Sequence, residues 1–156
     1  MTIEIQHRGP RLVATQSGRL GWAELEDAFE VCAAWLDRDT SLTQVLFDLR
    51  GARLDLTGIE ADQLAELVTS VFPRPVVAAV VEPEAPQGRE LLVAFADKLE
   101  RLGICLAICG SLKGAAKYLH ALETGARPVP ALSFMKQIRV EIERIIQPQE
   151  LYLGSR

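Results

Sequence analysis

The chain is poor in the residues that most enzymes and metal proteins use. Its 156 residues include two histidines, His7 and His120, and three cysteines, Cys32, Cys105 and Cys109. The cysteines form no CxxC pair, number an odd three, and each falls inside an apolar pattern. They read as reduced core thiols, and neither a disulfide framework nor a zinc site is expected. The histidines are far from one another and from the cysteines, so no Ser/His/Asp or Cys/His set can be assembled. The expectation is a protein with no catalytic residues, no metal and no cofactor. Basic excess is also lacking. Seventeen Lys and Arg against 21 Asp and Glu leave a net charge of -4, the wrong sign for a surface that neutralises nucleic-acid phosphates.

Long apolar runs are missing too. No apolar run is longer than Val76 to Val81, which is far too short to span a bilayer, and Met1-Thr2-Ile3-Glu4-Ile5-Gln6-His7-Arg8 has no apolar core of a signal peptide. A cytoplasmic protein without a membrane span is the expectation. What is present is a globular composition, 49% hydrophobic and 24% charged, in a chain long enough for one sizeable core.

The periodicity predicts alternating strands and helices. Ile3 and Ile5 alternate with polar residues, and Arg8-Gly9-Pro10 turns the chain into a second extended run, Arg11 to Thr15, giving a hairpin. From Trp22 the period becomes helical, with Leu25, Phe29, Cys32 and Leu36 on one face and Glu24, Glu26, Asp27 and Glu30 on a wet face. Val45 to Leu49 is a short strand. A helix over Thr57 to Val71 ends at Pro73 and Pro75. Val76 to Val81 has the continuous β-branched character of a strand covered on both faces. The next helix carries Leu91, Leu92, Phe95, Leu99 and Leu102 and closes at Gly103. Ile104 to Cys109 is the last strand, and Gly110-Ser111 opens a helix using Leu112, Ala116, Leu119 and Leu122. This order predicts an α/β fold with a mixed sheet, an N-terminal hairpin and later parallel strands flanked by helices, over residues 1–125.

Residues 126–156 form a linker and a helical extension. Gly125-Ala126-Arg127-Pro128-Val129-Pro130 breaks the pattern, and Met135, Ile138, Ile142 and Ile145 fall on one side of a helix over Ala131 to Ile146. Phe134, Val140 and Ile146 lie outside that stripe. A helix so apolar needs a second surface, and a homodimer contact is the expectation.

Two junctions are candidate sites. At Thr57-Gly58-Ile59-Glu60 the threonine hydroxyl and the glutamate three residues later form a capping box at a helix start. Arg50 and Arg53 add positive charge just before it. At Gly110-Ser111-Leu112-Lys113 a parallel strand meets a helix, a place where anions bind in α/β proteins, although the Walker spacing is absent. Gly110, Ser111 and Lys113 are the candidate anion-binding residues; a helix cap at Ser111 and a solvated Lys113 account for the same pattern.

The element order, the strand end Val45-Leu46-Phe47-Asp48-Leu49-Arg50-Gly51, and Asp55-Leu56-Thr57-Gly58-Ile59 resemble the STAS domain, and more closely the small bacterial SpoIIAA-like (STAS/SEC14-like) proteins. The resemblance covers about Met1 to Leu122. It implies a non-enzymatic regulatory module that docks another protein, with Arg53, Asp55, Thr57 and Glu60 around the docking loop. In this family's anti-sigma-factor antagonists the second serine of Asp-Ser-Ser-Gly is phosphorylated, and that register falls on Thr57. Thr57 is thus either a phosphorylation switch or a helix cap alone. The SEC14-like side of the resemblance implies the other function, binding of an apolar or phosphorylated small molecule.

Overall fold

The structure is a computed structural model that describes residues 2–123. The C-terminal extension and its expected dimer contact lie outside the described residues. Five strands form one sheet in the order β1-β2-β3-β4-β5: β1 (Thr2–Arg8), β2 (Arg11–Leu20), β3 (Gln44–Leu54), β4 (Val77–Val81) and β5 (Leu106–Cys109). The first pair is antiparallel and the other three are parallel. The expected mixed α/β fold is therefore present. The β1–β2 turn is tight because Gly9 takes a positive φ of 59°, a conformation that a side chain disfavours.

Four α-helices among the described residues flank the sheet: α1 (Trp22–Arg38), α2 (Gly58–Val71), α3 (Arg89–Arg101) and α4 (Leu112–Glu123). A strand's side chains alternate between faces, so each parallel strand offers one apolar row to each layer. Leu12, Ala14, Val45, Phe47, Ala78, Val80, Leu106 and Ile108 pack with Leu25, Phe29, Cys32 and Leu36 of α1, Leu64 and Val68 of α2, and Leu92 and Leu99 of α3. Val13, Leu46, Ala79, Val81, Ala107 and Cys109 make the other row, against Ala115, Tyr118 and Leu119 of α4. The three crossover helices thus share one face of the sheet and α4 covers the opposite one. Because β4 contributes to both clusters, the unbroken apolar run from Val76 is explained.

Two strands are longer than their apolar patterns predict. β2 continues past Thr15 to Leu20, and β3 past Leu49 to Leu54. The extensions pair with each other, Ser17 with Gly51 through Leu20 with Leu54. Main-chain pairing carries them through the exposed Gly18, Arg19, Gly51 and Arg53 to the buried Leu20 and Ala52, so the interrupted apolar pattern does not reveal them. The register slips between Thr15 and Ser17. There Gln16 alone faces Leu49 and Arg50, a β-bulge on β3.

Polar groups tie the elements together. The Arg74 guanidinium donates to the carbonyls of Leu36 (2.5 Å), Asp39 (3.0 Å) and Leu42 (2.6 Å), closing the α1–β3 connection. Buried Gln44 donates to Leu119 O (2.9 Å) and accepts from Arg11 Nε (3.2 Å). Glu24 is not simply on a wet face: its Oε2 accepts from Gly21 N–H (2.9 Å) at the start of α1. That position satisfies one of the four unpaired helix N–H groups that any helix start presents. At the end of α3, Gly103 has φ 93° and its N–H reaches Glu100 O (3.0 Å), the expected terminator.

Candidate functional site

The β3–α2 junction is built from the extended end of the β2–β3 pair. Asp55 leaves the strand with its N–H bonded to Leu20 O (2.8 Å), and its carboxylate takes Nε (2.7 Å) and Nη2 of Arg19. Thr57 then takes an extended backbone, φ -82° and ψ 164°, at the position that caps α2. Glu60 N–H donates to Thr57 Oγ1 (3.1 Å), and Thr57 N–H donates to Glu60 Oε1 (3.0 Å). The capping box read from the sequence is closed in both directions, satisfying orphan donors of the helix start. Thr57 is exposed, so its hydroxyl reaches solvent while it caps.

Of the four residues grouped around this loop, Asp55 and Arg53 stand on the strand end and Thr57 and Glu60 on the helix start. Asp55 is held by Arg19, Thr57 and Glu60 hold each other, and Arg53 is exposed. Arg50 does not add free positive charge here. Its guanidinium forks onto Asp48, Nε to Oδ1 at 2.9 Å and Nη2 to Oδ2 at 2.8 Å. Those hydrogen bonds pull the buried Asp48 carboxyl below its usual pKa range, against a burial effect of opposite sign, and raise that of Arg50. Two residues beyond the cap stands Ile59, 73% exposed, the most exposed large hydrophobic side chain among the described residues.

The second junction is a helix start of the ordinary kind. Ser111 Oγ accepts from Gly114 N–H (3.0 Å), and Ala115 N–H reaches Ser111 O (3.1 Å). Ser111 therefore caps α4, and Lys113 is exposed on its first turn. Gly110, Ser111 and Lys113 are adjacent, but the Ser111 hydroxyl is turned to the helix.

Cys32 and Cys109 are buried as their apolar patterns predict, whereas the last strand begins only at Leu106, so Cys105 lies just before it and is half-buried. Burial pushes the Cys32 thiol up to about 12 and the Cys109 thiol up to about 11. Burial also raises Cys105, partly offset by its contact with the Tyr118 hydroxyl at 3.6 Å. Thiols so shifted are poor nucleophiles at neutral pH. Among the described residues no group of His, Cys, Asp and Glu is placed to hold a metal, and no helix is long and apolar enough to cross a membrane.

One polar residue with no counterpart in the sequence reading is Gln16. It lies on the same face of β2 as Leu12 and Ala14, is 1% exposed, and lines a cavity of about 50 Å³ between the sheet and α1, α2 and α3. Neither its Nε2 nor its Oε1 has a hydrogen-bond partner. The signal was available in the alternation Leu12, Ala14, Gln16, and is lost if the strand is ended at Thr15.

No family model matches the chain, and no curated protein does. Solved structures similar to it include the anti-sigma factor antagonist SpoIIAA in its unphosphorylated form, with 9% sequence identity and a TM-score of 0.47 over 76% of this chain and 98% of that one. The Bacillus cell fate determinant SpoIIAA in its phosphorylated form is similar at 9% identity and a TM-score of 0.45, over 76% and 99%. Mglu is similar at 15% identity and a TM-score of 0.33, over 70% of this chain and 20% of that one. These likenesses carry over nothing of what those proteins do or bind.

Proposed function

We propose that the chain is a non-enzymatic interaction module that docks a protein partner through the β3–α2 junction. The observation that carries this reading is Ile59. An isoleucine 73% exposed on the first turn of a capped helix gives a partner an apolar contact, with Arg53, Asp55 and Thr57 around it for polar recognition. An apolar centre rimmed by polar groups is the anatomy of protein interfaces. The loop is also braced before any partner arrives, by Arg19 on Asp55 and by the reciprocal Thr57–Glu60 bonds. Bracing of this kind lowers the ordering cost of association.

Thr57 is the proposed switch. A phosphate there adds nearly two negative charges beside the backbone N–H groups that open α2, where negative charge is favoured. It also competes with the Glu60 carboxylate for the same place, so the loop presented to a partner changes in charge and in shape. The C-terminal segment is proposed as a homodimer contact on its sequence pattern.

The docking reading is tested with a photo-activated crosslinker placed at Ile59 and, for comparison, at the exposed Glu30 on α1. A partner captured from Ile59 alone is then purified and its affinity measured against Ile59→Asp and Arg53→Glu. Loss of binding in both supports the docking loop. Unchanged binding in both refutes it. Intact mass after co-expression with candidate kinases, together with the effect of Thr57→Glu on that affinity, tests the switch: no phosphate on Thr57 and no change in affinity removes it. Light scattering with residues Ala131 to Arg156 deleted tests the dimer, since an unchanged molar mass rules it out.

A further inference from the structure

Gln16 faces a space that suits the head of a small molecule. Its amide is buried on the helix-covered side of the sheet, and both polar atoms lack a partner, whereas buried side-chain amides in native proteins are almost always hydrogen-bonded. Every other residue lining the adjoining cavity is apolar, among them Phe29, Phe47, Leu64 and Val80. The cavity lies toward the carboxyl ends of the parallel strands, where α/β sheets hold their ligands. Gln16 itself stands opposite the β-bulge of β3, and such bulges are over-represented next to functional sites. Leu54, Leu56, Leu91 and Phe95 also line the cavity and are only half-buried, so they mark the side on which it meets solvent.

We propose that this cavity binds an apolar molecule ending in an uncharged primary carboxamide or protonated carboxylic acid, which pairs with the Gln16 amide. The chemistry follows from the two orphan atoms. The amide offers a donor and an acceptor side by side, so its best partner presents an acceptor and a donor in the same plane and closes a ring of two hydrogen bonds. A carboxamide and a neutral carboxyl do this; an alcohol supplies one group at a time. A carboxylate or phosphate is disfavoured because no cationic side chain lines the cavity, and an unpaired charge in an apolar site is strongly penalised. Size agrees with this division. A space of about 50 Å³ exceeds the roughly 10–15 Å³ that one water needs on the same measure and takes a head group of a few heavy atoms. The tail then lies along the half-buried leucines and Phe95 at the opening. This inference is independent of the docking loop.

The test is a titration of the full-length, ¹⁵N-labelled protein with hexanamide, following the assigned side-chain NH₂ resonances of Gln16, with hexanol as the control for the tail alone. Saturable movement of those resonances by hexanamide, and weaker binding of hexanol, is the expected result. Hexanoic acid is expected to bind better below its own pKa than at neutral pH. Gln16→Met, which keeps the length and removes both polar atoms, is expected to weaken hexanamide by about thirtyfold, the worth of two ordinary hydrogen bonds. Gln16 resonances that hexanamide does not move overturn the proposal in the unaltered protein, whatever the variant does. Equal binding of hexanol and hexanamide, or equal binding of hexanamide to a folded Gln16→Met protein, overturns it as well.

Discussion

Replacing Gln16 with methionine is expected to make the ligand-free protein more stable, and the size of the gain can be worked from the structure. Gln16 is 1% exposed, and neither end of its amide has a partner. A buried polar group left unpaired costs about 1–3 kcal/mol in protein mutational series. Methionine follows the same unbranched path, fills a similar volume and adapts to an irregular cavity, so little packing is lost against Phe29, Phe47 and Leu64. The net expectation is a gain of about 1–3 kcal/mol, or roughly 2–4 °C in Tm for each kcal/mol in a domain of this size. Urea denaturation measures it, provided that the slope is unchanged and only the midpoint moves. Gln16→Glu supplies the opposite arm. Burial among apolar residues raises the pKa of the introduced carboxyl above its unfolded value, so the folded state binds more protons and stability falls as pH rises from about 4. A Gln16→Met protein less stable than the natural one by 1 kcal/mol or more, on the scale of one lost hydrogen bond, refutes the reasoning. It would mean that the amide is hydrogen-bonded in the ligand-free fold.

Four further outcomes follow from particular contacts. Thr57→Ala removes one direction of the capping box and is expected to lower stability by about 1 kcal/mol, while Thr57→Asp, itself a capping residue, keeps most of it; urea midpoints distinguish the two. Arg74→Ala strips donors from three carbonyls at the end of α1 and before β3 and is expected to cost about 1–3 kcal/mol in the same assay. Hydrogen bonds from Arg50 hold the Asp48 pKa below its unfolded value, so their stabilisation is complete above about pH 5 and is lost as pH falls through the folded pKa. Asp48→Asn should therefore be less stable near neutrality and show a shallower loss on acidification. Cys32 and Cys109, with thiols raised to about 12 and about 11, are expected to resist alkylation in the folded protein, with half-buried Cys105 reacting first; peptide mapping after a timed pulse of iodoacetamide reads the order.

The parts of the fold that were readable from the sequence are those governed by neighbours along the chain. Thr57 and Glu60 are three residues apart, and the capping box they form is complete within one turn of helix. The heptad-like spacing of Leu25, Phe29, Cys32 and Leu36 predicts the buried face of α1 because a helix repeats within a few residues. Gly103 ends α3 for the same local reason. The strand ends failed the same approach. Arg50, Gly51 and Arg53 interrupt the apolar run of β3, yet the strand continues to Leu54 because β2 runs beside it. Pairing between Ser17–Leu20 and Gly51–Leu54 is a property of two segments more than 30 positions apart, and the exposed Gly18, Arg19, Gly51 and Arg53 hide a ladder that ends at the buried Leu20.

Arg74 and Gln16 sharpen the distinction. Between Pro73 and Pro75, Arg74 has the look of a solvated residue in a helix-ending turn; its three bonds reach back to Leu36, Asp39 and Leu42 across a connection that only the folded chain brings near. Gln16 is the reverse case, since its position on the buried face follows from strict alternation with Leu12 and Ala14 once β2 is long enough. Alternation can say that a glutamine points inward. It cannot say that Leu25 and Phe29 from α1, Leu64 from α2 and Phe95 from α3 converge on the same place with no polar group among them. A buried amide among such neighbours lowers the stability of the empty fold. Local rules are broken at a cost most often where function requires it, and a ligand that completes the pair at Gln16 recovers that cost only when bound. The stability of the ligand-free Gln16→Met protein reads the cost of the unpaired amide, and the affinity of the natural protein for a carboxamide reads how much of that cost pairing recovers.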